Sequence, residues 1–215
     1  MWDTVLFDLD GTLTDSAPGI TNAVAYALAR CGIREDPKDL IQFVGPPLAD
    51  SFLEFYGFDL EKRTEAIGFF REYFDEKGWL ENAPYPGIED LLRDLKEAGV
   101  TLMLATSKLE IQAVRILNHF GLAKYFDHIC GCPLGREGAR KSEVIRSALS
   151  YVDGPAVMVG DRRYDVAGAR ETGLPCIGVL YGYGGREELE EAGAAFIAED
   201  IAALKKLLLE GDEAY

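Results

Sequence analysis

Short apolar runs punctuate the chain: TVLFDL (4–9), VTLMLAT (100–106), HIC (128–130), AVMVG (156–160) and CIGVL (176–180). They are too short for ordinary helices and too uniformly apolar to have a wet face. They read as strands buried on both faces, the pattern of a parallel sheet. Helical patterns separate the later runs: IEDLLRDLKEAG, LEIQAVRILNHFG, KSEVIRSALSYV and YDVAGARETG. Gly99, Gly121 and Gly173 stand where helix C-caps are expected. AAFIAED followed by IAALKKLLLEG reads as a short edge strand and a closing helix. The alternation predicts a doubly wound, Rossmann-like α/β domain with right-handed crossovers.

The first crossover breaks the rhythm. It occupies residues 10–99, whereas a βα unit and its return strand need about thirty residues. Within it, PGITNAVAYALARCG, PKDLIQFV, PPLADSFLEFYG and LEKRTEAIGFFREYFDEKG all carry helical patterns. The tract begins after Thr14-Asp15-Ser16 and ends at the turn-rich Asn82-Ala-Pro-Tyr-Pro-Gly87. The expected organisation is an α/β core from residues 1–16 and 83–215, with an all-helical cap inserted at 17–82. Two linkers would make that cap a hinged lid. Its aromatics Phe52, Phe55, Tyr56, Phe69, Phe70, Tyr73 and Phe74 need cover, partly from the cap itself and partly from the sheet edge below.

Composition narrows the partners. With 215 residues, 48% hydrophobic and 11% aromatic, the chain has material for a full core. Its formal net charge of -15 argues against nucleic acid or an anionic membrane, which both need basic patches. No run reaches about 18 apolar residues and no basic-plus-apolar leader opens the chain, so a cytoplasmic protein is expected. Cys31, Cys130, Cys132 and Cys176 lie in apolar segments, as reduced core thiols do. Cys130-Gly-Cys132 could be half of a metal site, but no second Cys or His pair has zinc-like spacing. His119 and His128 read as structural.

Ligands of open α/β sheets bind beyond the carboxyl ends of the strands, so the residues there carry the chemistry. VLFDLDGTLTDS (5–16) sets Asp8 and Asp10 one residue apart at the end of a core strand, followed by Gly11 and Thr12. Carboxylates are seldom buried without a partner. The AVMVG strand ends in Asp161, with Asp165 one turn later in DRRYD. Asp8, Asp10 and Asp161 on one edge would repel one another without a cation, and an all-oxygen donor set suits Mg²⁺. That cation would also let an anionic substrate approach an acidic protein. VTLMLAT ends in Thr106-Ser107-Lys108, and Ser107 to Glu110 has capping-box spacing, so a helix is expected to start there. Ser107 could simply cap that helix, or the free amides and the Thr106 hydroxyl could bind phosphate. Lys141 opens the helix before AVMVG, where an ammonium could pair with Asp8 and a phosphate oxygen. Arg140 competes for that role.

DLDGT, Thr106, Lys141 and GDRRYD, in this order and each at a strand end, resemble the four motifs of the haloacid dehalogenase superfamily. The helical tract is similar to that family's cap. The resemblance implies that Asp8 is a nucleophile forming an aspartyl-phosphate and Asp10 the general acid and base. It implies Mg²⁺ held by the Asp8 side chain, the Asp10 carbonyl and Asp161, with Asp165 supporting either the metal or Lys141. Thr106 and Lys141 would hold the phosphoryl group, alongside Gly11 and Ser107. The dehalogenase and phosphonate-cleaving branches lack an acid at the position of Asp10, so phosphoryl transfer is favoured. FVGPPLADSF (43–52) is similar to a cap segment of phosphoglycolate phosphatase-like, 5′-nucleotidase-like and pyrophosphatase-like members, which makes Gly45 a candidate substrate contact. Gly45-Pro46-Pro47 also reads as a break before the next helix. Many relatives have Lys-Pro in the third motif, where this chain has Lys141-Ser142.

The expected function is hydrolysis of a small phosphorylated metabolite by a monomer or weak homodimer. The alternatives are a sugar-phosphate mutase, an inorganic pyrophosphatase, and a non-enzymatic phosphate-binding protein. Arg162-Arg163 either face solvent or lend positive charge to the site. YGYGG (181–185) lacks the Lys-Ser/Thr of a P-loop and reads as a flexible strand-to-helix turn.

Overall fold

The computed structural model describes residues 2–136 and 138–210. Strands β1 (Thr4–Phe7), β4 (Thr101–Leu109), β5 (His128–Cys132), β6 (Ala156–Gly160), β7 (Cys176–Val179) and β8 (Phe196–Ala198) form one sheet in the order β5-β4-β1-β6-β7-β8. Every pairing in it is parallel. β1 lies at the centre, with Phe7 beside Leu104 on one side and Val159 on the other. The chain is thus wound outward twice from β1, which places a topological switch at its carboxyl end.

Successive strand residues serve opposite layers. Val5, Phe7, Leu102, Leu104, Val157 and Val159 face helices α4 (Ile88–Glu97), α5 (Glu110–His119) and α9 (Ile201–Leu209). Leu6, Met103, Ala105 and Met158 face α6 (Lys141–Leu149), α7 (Arg163–Glu171) and α8 (Arg186–Ala192). Burial on both faces is why these strands show no polar alternation.

Between β1 and α4 the chain forms α1 (Ala17–Arg30), a 3-10 helix over Pro37–Phe43, α2 (Leu48–Tyr56) and α3 (Leu60–Glu76). The linkers pair as a two-residue antiparallel ribbon, β2 (Thr14–Asp15) with β3 (Ala83–Pro84). Phe43, Phe52, Phe58, Phe70 and Phe74 are buried within this tract. Phe55 is not covered as expected and remains 40% exposed. No helix among the described residues is long and apolar enough to cross a membrane.

Two boundaries differ from the sequence pattern, and both matter for the site. β1 stops at Phe7 because the amides of Thr12, Leu13 and Thr14 all turn back onto the Leu9 carbonyl. β4 continues through Ser107 to Leu109, so the Ser107–Glu110 capping box does not form and α5 begins at Glu110. The cause is strand pairing: after an irregularity past Ala105, β4 rejoins β5 with Leu109 opposite Cys132. Local capping preference lost to the ladder.

Candidate active site

The tight turn after β1 brings Asp8 and Asp10 to the sheet edge, each less than a tenth exposed. Gly11 makes the turn possible. Its φ is +85°, and a Cβ there would stand 2.2 Å from Asp161 Oδ2, so a side chain fits neither the backbone nor the space. Across the edge, Asp161 is fully buried at the end of β6. Its Oδ2 accepts the Tyr183 amide at 2.8 Å and its Oδ1 the Thr12 hydroxyl at 3.3 Å.

Lys141 reaches this cluster from the first turn of α6. Its Nζ lies 2.6 Å from Asp8 Oδ1 and 2.7 Å from Asp165 Oδ1. Burial works against the ammonium, but Asp165 and Asp8 outweigh it and its pKa is raised. The neighbouring Arg140 is exposed. The second oxygen of Asp165 accepts the Arg162 amide at 3.1 Å, so both its oxygens are engaged in holding Lys141 and the loop. Burial pushes Asp165 up to about 6, with Lys141 opposing that rise and Asp8 adding to it.

Asp8, Asp161 and Asp165 offer oxygens that all lie within 4.8 Å of one another. Burial, then Asp165 and Asp8, raise the Asp161 pKa well above the ordinary carboxylate range. One ammonium cannot balance these acids, and the excess negative charge is what a divalent cation would neutralise. The donor set is oxygen throughout. The residues therefore fit a hard cation, which this group of three acids could hold.

Asp10 points elsewhere. Its Oδ2 pairs with Lys108 Nζ at 3.1 Å, and its buried Oδ1 has no hydrogen-bond partner among the described residues. Lys108 also lies 4.6 Å from the ring centre of Phe74 on α3, and so touches the acid below and the cap above. Sequence reasoning passed over Lys108 as part of a helix start. The available signal was strand alternation: if β4 is extended to Leu109, Thr106 and Lys108 share a face. Thr106 is buried, and its hydroxyl oxygen accepts the Lys108 amide at 3.2 Å.

Asp8, Asp10, Thr106, Ser107 and Lys108 line the floor of a cavity of about 220 Å³, and the cap supplies its roof through Gly45, Pro47, Phe70 and Arg71. Gly11 sits behind the acids and shapes the turn; it is not among the lining residues. The YGYGG loop is the turn from β7 to α8, and it is tied to the site. The amide of Tyr183 holds Asp161, while its hydroxyl donates to Asp15 at 2.8 Å and accepts the Ala17 amide at 2.9 Å. One residue thus links a cluster acid, through its backbone amide, to the linker of the cap, through its hydroxyl. Nor are both arginines of DRRYD solvated: the Arg162 side chain is only 12% exposed. The thiol of Cys132 donates to the Arg136 carbonyl at 2.9 Å; the only clustered metal-ligating groups among the described residues are the three acids.

A doubly wound sheet that gathers buried carboxylates and an ammonium at its carboxyl edge, under an inserted helical roof, defines a capped α/β enzyme. The chain belongs to the haloacid dehalogenase-like hydrolase family, whose model matches residues 5–179. It is 42% identical over 211 residues to a 5′-nucleotidase of Pseudomonas aeruginosa, covering 96% of each chain. It is 39% identical to the tyrosine-protein kinase PtkA of Mycobacterium tuberculosis, over 95% of this chain and 72% of that one. The crystal structure of a predicted phosphatase from Clostridium acetobutylicum superposes with a TM-score of 0.94 at 50% identity, over 98% of this chain and 99% of that one.

Proposed function

We propose that the protein is a Mg²⁺-dependent phosphatase that hydrolyses a small phosphomonoester through an aspartyl-phosphate on Asp8. The observation that carries this reading is the pair of unlike carboxylates on one cavity floor. Asp8 is paired with Lys141 and clustered with Asp161 and Asp165, whereas Asp10 lies outside that cluster and is paired with Lys108. An Asp8 oxygen attacks phosphorus as the bond to the leaving alcohol oxygen breaks, and Asp10 supplies the proton that the alkoxide needs. Water then attacks the acyl phosphate, giving its proton back to Asp10 and releasing inorganic phosphate. Lys141 and Thr106 hold phosphoryl oxygens in this scheme. Bound Mg²⁺ would supply charge neutralisation at Asp8 and Asp161.

The cavity supports small substrates. At about 220 Å³ it is smaller than the roughly 300 Å³ at which drug-sized pockets begin. Phosphoglycolate-like esters and nucleoside 5′-monophosphates are the proposed class, the second in keeping with the name of the Pseudomonas relative. The kinase name of the mycobacterial relative belongs to that protein. Here the hydroxyls of Tyr181 and Tyr183 are committed to Thr12 and to Asp15 and Ala17, which makes them poor phosphoryl acceptors. Four free thiols suit a reducing, cytoplasmic compartment.

The test is a screen of purified protein with Mg²⁺ against phosphorylated metabolites, a phosphopeptide and glucose 1-phosphate. Small monoesters should release phosphate faster than the phosphopeptide, with no isomerised sugar. Appearance of glucose 6-phosphate would favour the mutase. A faster phosphopeptide would mean that the helical tract is not a lid over the site.

Gly45 offers a finer check. Its φ is +107°, and a Cβ would stand 3.0 Å from Arg162 Cγ, so Gly45→Val strains the backbone of the roof and presses on the Arg162 stem. Ranking of the metabolite panel should shift by about tenfold or more, while a generic aryl phosphate, which asks little of the roof, changes less. An unaltered ranking would remove this loop from substrate selection.

A further inference from the structure

Arg162 occupies an unusual place. It follows Asp161 directly, and its own amide anchors Asp165, yet its side chain leaves the sheet edge for the cap. Nε donates to Glu188 Oε1 at 2.9 Å, and Nη1 donates to the carbonyl of Val44. The same Glu188 oxygen accepts the Arg163 amide at 2.9 Å, which fixes the carboxylate that fixes the guanidinium. The next residue along the cap, Gly45, lies against the Arg162 stem, where a Cβ would stand 3.0 Å from Cγ, and Gly45, Pro46 and Pro47 roof the cavity. A guanidinium can serve two acceptors at once because its donors are held in a planar fork; an ammonium on a flexible stem does this poorly.

We propose that Arg162 is a positioning residue, a clasp that holds the roof segment around Val44 and Gly45 down over the cavity, with Glu188 as its counterweight. The clasp acts on substrate through the backbone it grips rather than by touching the substrate. It couples roof closure to the junction of β6 and α7 that carries Asp161 and Asp165, so the roof is gripped from the side of the acidic cluster. Its kinetic consequence rests on the phosphatase reading; its structural consequence does not.

The experiment has two arms on the full-length protein. In the first, backbone hydrogen exchange is followed without substrate in wild type, Arg162→Met, Arg162→Lys and Glu188→Gln. The Val44 amide is bonded to the Ile41 carbonyl at 3.0 Å, so the segment 41–51 reports the roof. Arg162→Met should speed its exchange about tenfold, Arg162→Lys and Glu188→Gln by less, with β1 and β6 unchanged. In the second, steady-state kinetics on the best metabolite should show KM rising about tenfold in Arg162→Met with a much smaller change in kcat, partly rescued in Arg162→Lys. Equal exchange at 41–51 in all four proteins overturns the clasp, whatever the activity. A general rise in exchange across β1 and β6 also overturns it, since Arg162 would then be holding the fold. A wild type with no turnover defeats the phosphatase reading and leaves the exchange result standing.

Discussion

Asp8→Asn should lower kcat by at least about 10³-fold, equivalent to ~4 kcal/mol of transition-state stabilisation. The amide is nearly the same shape but cannot form the acyl phosphate, and no other carboxylate takes its place. Asp161 and Asp165 are buried and tied to Tyr183, Arg162 and Lys141, while Asp10 pairs with Lys108. The fold should survive. Lys141 keeps Asp165 as a partner, and the variant removes one of three crowded acids. Melting temperature should therefore stay within a few degrees of wild type and could rise in the absence of metal. A well-folded Asp8→Asn protein that turns over at a tenth of the wild-type rate would falsify the covalent route. Trapping the intermediate is the complementary measurement: acid-quenched wild type should carry an alkali-labile phosphate, absent from the variant.

Removing divalent cations should abolish turnover altogether, and Mg²⁺ should restore it, with Ca²⁺ a poor substitute because its larger, looser shell suits this site less well. Asp161→Ala should sharply raise the Mg²⁺ concentration needed. A second readout needs no catalysis. In metal-free protein the folded state raises the Asp161 pKa, so above about pH 4 it binds more protons than the unfolded chain. The contribution of Asp161 to stability then falls as pH rises, because for this group the proton count of the unfolded state minus that of the native state is negative. Mg²⁺ binds the ionised acids and should reverse this penalty. Thermal melts should thus show a larger Mg²⁺ stabilisation at pH 7.5 than at pH 5. An equal shift at both values, or none, together with undiminished activity in excess chelator, would remove the metal from the site.

Much of this arrangement was legible without coordinates, for identifiable reasons. Strands buried on both faces lose their polar alternation, so the runs around Val5, Leu104 and Val159 announced a parallel sheet. Once the sheet was parallel, topology alone gathered the strand ends on one edge, and Asp8, Thr106, Lys141 and Asp161 fell together. Lys141 over Arg140 could not be decided from the chain, because adjacent residues at a helix start diverge by about a hundred degrees. Burial decided it: one side chain lies between Asp8 and Asp165 and the other in solvent.

What the chain determined by itself is whatever depends on periodicity and local stereochemistry: the sheet and its helices, the inserted helical tract, and the glycine-dependent turn after Asp8. What only the tertiary structure decided are contacts between segments distant in sequence, since nothing local selects among partners for a long side chain. Capping preference at Ser107 was overridden because Leu109 pairs with Cys132 on a neighbouring strand. Lys108 was thereby turned toward Asp10 and Phe74. Tyr183, from a loop that reads as mere punctuation, met Asp161 and the linker at Asp15. Arg162 found Val44 across more than a hundred residues because the cap folds back over the edge from which it departs. A hydrogen bond is worth nothing to the chain until packing has brought its two ends together, and packing is a property of the whole fold.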